Sequence, residues 1–131
     1  MRVFLGGTCN ESTWRQRLIP MLQIPYFDPV VDDWDAVAQE REDHAKKTST
    51  YHLYCITPQM SGTFSIAEVV YDSFKLEKGC TILTLLRESD GVIFNEGQWR
   101  SLDAVARLIQ PNGVKVFYDL ESTAEYLNCA D

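Results

Sequence analysis

Two consecutive runs decide how this chain folds: Tyr51–Thr57, YHLYCIT, and Met60–Gly79, MSGTFSIAEVVYDSFKLEKG. The first is apolar and β-rich, and reads as a buried strand. The second passes through a Ser-Gly-Thr loop into a helix. Ser65 followed three residues later by Glu68 predicts a capping box, each side chain satisfying the other residue's free backbone N–H. Ile66, Val69, Val70 and Phe74 recur at helical spacing and predict the inward face, with Glu68, Tyr71, Asp72 and Lys75 on the polar side. Gly79 is placed to close the helix as a C′ residue. Since the Cα–Cβ bond tilts toward a helix N-terminus, Glu68 leans back over the loop. That carboxylate is either a cap alone or a reacting group at the mouth of a sheet.

Outward from this unit the same alternation repeats. Val3-Phe4-Leu5 is a short first strand ending at Gly6-Gly7-Thr8. Asn10, Ser12 or Thr13 can cap a helix whose core face is Trp14, Leu18, Met21 and Leu22, its regular part stopping near Pro20. Pro25–Val30 is a second strand, confined by its prolines to or near an edge. Ala36–Thr48 is a polar helix with Val37, Ala38 and Ala45 as its apolar residues, which predicts a solvated segment. Cys80–Leu86 is a fourth strand, and Arg87–Gly91 is turn chemistry. Val92-Ile93-Phe94 is a short extra strand or a packed loop. Leu102, Val105, Ala106, Leu108 and Ile109 mark another helix, ended by Pro111-Asn112-Gly113. Val114–Tyr118 is a fifth strand, and Ser122–Leu127 a last short helix. Strands joined by crossover helices predict a single-domain α/β fold: a doubly wound, flavodoxin-like five-stranded parallel sheet with helices on both faces. Ligands of such sheets bind beyond the carboxyl ends of the strands, where Gly6–Thr8, Asp32–Asp35 and Gln59–Ser65 would meet.

The bulk properties narrow the partners. The 131 residues make one domain, 45% hydrophobic and 24% charged, an ordinary soluble composition. Nineteen acids against 12 bases, a net charge of −7, argue against a nucleic-acid polymer as partner. No apolar run approaches the roughly 20 residues that span a bilayer, so no membrane partner is expected. The short apolar run after Arg2 is too brief for a signal peptide. Cys9, Cys55, Cys80 and Cys129 are scattered without a CxxC pair, which fits a reduced, cytoplasmic setting.

Each candidate for chemistry has a plainer reading beside it. Gly6-Gly7-Thr8 matches neither GxGxxG nor a P-loop; it is a tight turn, or a place where backbone without a Cβ admits a ligand. Asp32, Asp33 and Asp35 resemble a hard-cation cluster, but acids also cap helix N-termini, and that structural reading leads. Trp34 among them is a core plug or a stacking platform. His44 and His52 read as surface and strand-end residues. Cys9 has no histidine to activate it.

Taken together, VFLGGT with Trp14-Arg15, the segment FDPVVDDWD, and Ser65-Ile66-Ala67-Glu68 give the chain a resemblance to the nucleoside 2-deoxyribosyltransferase-like family over about its first 80 residues. The resemblance implies a nucleoside or nucleotide N-glycosyl transferase or hydrolase in which Glu68 attacks the anomeric carbon and forms a glycosyl-enzyme. Asp33 or Asp35 would handle the proton or hold the sugar, as the second group does in retaining glycosidases. Gly6, Gly7, Thr8, Trp34, Ser61, Gly62, Ser65 and a neighbouring subunit's Asn128 would contact substrate. No metal or organic cofactor is implied, and a homo-oligomer of at least two copies is. The chain departs from the family in having Gly6-Gly7-Thr8 where a tyrosine follows strand one, and Gly62 in place of an aspartate. Those departures motivate the alternative of a non-catalytic nucleotide- or nucleoside-binding sensor. A receiver-like domain would need an acidic pair after strand one and an aspartate after strand three, where this chain has Gly6-Gly7-Thr8 and Pro58-Gln59-Met60.

Overall fold

The computed structural model describes residues 1–9, 11–30 and 35–129. In chain order the elements are β1 (Val3–Gly7), α1 (Trp14–Leu18), β2 (Tyr26–Phe27), α2 (Ala36–Thr48), β3 (Tyr51–Ile56), α3 (Phe64–Lys75) and β4 (Thr81–Leu85). They continue with β5 (Glu88–Ser89), β6 (Val92–Ile93), α4 (Glu96–Ile109), β7 (Lys115–Phe117) and α5 (Leu120–Cys129). The main sheet runs β2-β1-β3-β4-β7 and is parallel throughout. This is the expected flavodoxin-like order, with β3 central, β2 at an edge, and the chain reversing direction of travel between β1 and β3.

The two faces of β3 divide the core. Leu53 and Cys55 point toward α1 and α5, packing with Trp14, Leu18, Leu120 and Leu127. Tyr54 and Ile56 point the other way, into a cluster with Val69, Leu102, Ala106 and Ile109 of α3 and α4. Period-two alternation in a strand buried on both sides makes this split unavoidable. Pro20 does end the regular part of α1, which continues as a 3₁₀ turn over Ile19–Met21.

Several local expectations are corrected. The capping box does not form at Ser65. The helix begins two residues earlier than that cap would set it, at Phe64, with no side-chain cap, and Glu68 turns to an ammonium instead of a backbone N–H. A capping box does form at Asn95 and Gln98, opening α4. On α3 the buried positions are Val69, Asp72 and Ser73, whereas Phe74 is 76% exposed. The inward face is therefore rotated from the predicted one, toward partners that β3 offers Asp72. Leu108, expected inward on α4, is also exposed. Gly79 lies beyond the helix end at Lys75, in the turn before β4, with φ of 85°.

Val92-Ile93 forms a short antiparallel pair with Glu88-Ser89 around Asp90-Gly91, both in the left-handed region. The Asp90 carboxylate accepts from Thr13 N at 3.0 Å and from Thr13 Oγ1 at 2.5 Å, tying this hairpin to the start of α1. Those hydrogen bonds hold its carboxyl below the ordinary value of 3.8. The contribution is in place above that value and is lost as pH falls through the lowered one. Urea midpoints measured on the acid side should therefore drop less steeply in Asp90→Asn than in the wild type. Among the described residues no helix is long and apolar enough to cross a membrane.

Candidate functional site

At the carboxyl ends of β1 and β3, a cleft of about 540 Å³ is lined by Gly6, Gly7, Arg15, Glu42, Lys46 and Glu68, among others. A smaller cavity of about 160 Å³ adjoins it through Gly7, Cys9, Phe64 and Ser65, and adds Thr8, Gln59, Ser61 and Gly62. Of the residues singled out from sequence, Gly6, Gly7, Ser65 and Glu68 meet in the first, and Thr8, Ser61 and Gly62 in the second.

The glycines are required by the sheet itself. Gly7 has φ of 109°, and a Cβ on it would lie 2.1 Å from the Cys55 carbonyl oxygen of β3. A Cβ on Gly6 would meet the Tyr54 ring at 2.8 Å. Thr8 then pins the loop: its N–H donates to Cys55 O at 2.9 Å, and its hydroxyl accepts from Thr57 N at 3.0 Å. Its carbonyl accepts from Trp14 Nε1 at 2.7 Å and from the Arg15 guanidinium at 2.6 Å. Arg15, 5% exposed, also donates twice to Leu5 O. Burial lowers its pKa, opposed by its interactions with Cys9 and Asp28. Trp14 and Arg15 thus hold the Thr8 loop in place, and Arg15 itself lines the cleft.

Glu68 projects from the second turn of α3 and its Oε2 pairs with the ammonium of Lys46 on α2. Lys46 Nζ is also 3.8 Å from Glu42 Oε1 and 5.4 Å from the centre of the Phe4 ring. Burial by itself pulls the Lys46 ammonium down. The hydrogen bond and charge of Glu68, with Glu42 and Asp72, outweigh it and leave its pKa above the ordinary lysine value. Glu42 moves up: burial raises it, Lys46 opposes, and the charges of Glu68 and Asp43 add to the rise. The cleft therefore holds two carboxyl groups around one ammonium, Glu68 in the closer pairing and Glu42 held above its ordinary value.

Gln39, Glu42, Asp43 and Lys46 were not singled out from sequence. They line the cleft from one face of α2, at the i, i+3, i+4, i+7 spacing of a single helical stripe. That polar periodicity was the available signal, but it equally describes a solvated helix.

The other sequence candidates stand apart. Asp35 is exposed and accepts from Ala38 N at 2.8 Å, capping α2. Asp32, Asp33 and Trp34 lie outside the described residues. The Asn128 side chain accepts from Gln23 N at 2.7 Å and donates to Met21 O at 2.9 Å, so both its polar ends serve its own chain. Cys9 is exposed and its thiol donates to Gly7 O. His44 is on the surface, but His52 is buried in a polar network rather than at a frayed strand end. Among the described residues no group of His, Cys, Asp and Glu is arranged to hold a metal ion.

A doubly wound sheet with an acidic residue from α3 and a loop of glycines at its switch point defines an α/β domain with a cleft at that point. The family model for nucleoside 2-deoxyribosyltransferase-like proteins matches residues 1–84, well over half of the chain, and the protein belongs to that family. The match covers β1 through the greater part of β4, the part that lines the cleft. Comparison with curated proteins and with solved structures returns no match.

Proposed function

We propose that the protein cleaves the base–sugar bond of a nucleoside or nucleotide, passing the sugar to water or to a second base, with Glu68 as nucleophile. The observation that carries this reading is the Lys46–Glu68 pair at the head of α3, which sets a carboxyl group beside an ammonium on the wall of the cleft. An ionised carboxylate is what attack on an anomeric carbon needs. The family supports glycosyl transfer in the broad sense. Departure of the base needs a proton. The resemblance assigns that work to Asp33 or Asp35; Asp35 is engaged in capping, and Glu42 is the carboxyl whose raised pKa and position in the cleft suit it. We propose that Gly6, Gly7, Thr8, Ser61, Gly62 and Ser65 bound the substrate.

A homo-oligomer belongs to the same reading. Phe64, Tyr71 and Phe74 expose 74%, 60% and 76% of their surface on α3, a row of aromatic rings beside Glu68. A row of this kind is suited to cover by another copy.

The reading is tested by incubating wild type and Glu68→Ala with nucleosides, nucleotides and NAD, and detecting freed base by mass spectrometry. Release by wild type alone is the expected result. No release by either folded protein would replace the reading with that of a binding-only relative, whose ligand a thermal-shift screen would then seek.

A further inference from the structure

His52 on β3 does not line the cleft, yet it touches the helix that supplies the cleft's lysine. Its Nε2 is 2.8 Å from the backbone carbonyl of Lys46. A carbonyl only accepts, so at this end the imidazole is the donor. Nδ1 is 2.7 Å from Asp72 Oδ2, and the same oxygen accepts from the Tyr54 hydroxyl at 2.5 Å. Burial, then the hydrogen bond to Asp72, hold the Tyr54 phenol far above its usual value, so it stays a donor. All three side chains are buried. The carbonyl in question is among the last four of α2, which have no partner within their own helix. Through this chain α2, β3 and α3 are joined at one point, a single turn along α3 from Glu68.

We infer that His52 is a positioning residue: by gripping the Lys46 carbonyl it sets the last turn of α2 so that the Lys46 ammonium meets Glu68, while Asp72 and Tyr54 fix the imidazole. A filler of the core would need only volume. A polar chain across three elements specifies distance and direction. The inference rests on the proposed function only in taking Glu68 as the reacting carboxylate.

The side chains of glutamine and asparagine separate the two ends of the imidazole. Glutamine places its N–H near Nε2 and keeps the bond to Lys46. Asparagine reaches only the Nδ1 side and loses it. Reductive methylation of the full chain, with each lysine followed by peptide mass spectrometry, reads how firmly Lys46 is held. Lys46 should react about fivefold faster in His52→Asn and within about twofold of wild type in His52→Gln, with Lys115 as the internal reference. Equal Lys46 rates in the two folded variants would overturn the inference. Should His52→Asn not fold, Tyr54→Phe removes one hydroxyl, and an unchanged Lys46 rate there would also overturn it. If wild type and Glu68→Ala release no base but the Asn–Gln contrast is present, the proposed function fails and the positioning role stands.

Discussion

Glu68→Gln is expected to reduce base release by about a thousandfold or more, equivalent to about 4 kcal/mol of transition-state stabilisation. The amide has the shape of the carboxylate but cannot form the glycosyl ester, so the loss falls on turnover more than on substrate affinity. Stability should barely change. The Glu68 side chain keeps 16% and the Lys46 side chain 26% of their exposure, and Glu42 still stands 3.8 Å from the ammonium. Water still reaches the ammonium, so no fully buried cation is stranded and the change costs about 1 kcal/mol. A folded Glu68→Gln protein with wild-type turnover would remove Glu68 from the mechanism. Steady-state release, read beside a thermal melt of the same sample, makes that distinction.

Gly7→Ala is expected to destabilise the fold by about 3 kcal/mol, lowering the melting temperature by about 10 °C. Two penalties combine. The backbone at φ of 109° is one that residues with a Cβ rarely adopt. The added methyl would also sit 2.1 Å from Cys55 O and 2.6 Å from Cys55 N, backbone atoms of the central strand that have nowhere to go. Relief would require β1 and β3 to part where Thr8 and Cys55 are hydrogen-bonded. Gly62→Ala is the matched control: nothing lies within 4 Å of its Cβ, and its melt should stay within about 0.5 kcal/mol of wild type. Calorimetry of the two variants tests the argument, and equal melts would refute it.

The readable and unreadable parts of this protein divide along physical lines. A strand's apolar runs and a helix's spacing are properties of adjacent residues, so α2, β3 and the sheet's alternation were legible. The rotation of α3 was not. Ile66, Val69 and Val70 mark a face, but two residues near its edges, Asp72 and Phe74, exchanged places. Asp72 goes inward because Tyr54 and His52 satisfy its carboxylate there, and no periodicity carries that information. The polar stripe of α2 likewise looked like a solvated surface, since its role depends on what stands opposite.

By itself, the sequence determined the class of fold, the place of the crevice at the end of the first strand, and the family likeness built on Val3 to Glu68. All of these follow from local patterns and short motifs. Only the tertiary structure decided that Glu68 pairs with Lys46, 22 positions earlier, instead of capping its own helix. It alone decided that Gly7 answers to the backbone of β3. The physical reason is the same in both cases: an ion pair or a steric limit belongs to the distance between two elements, and that distance is set by how the whole sheet packs.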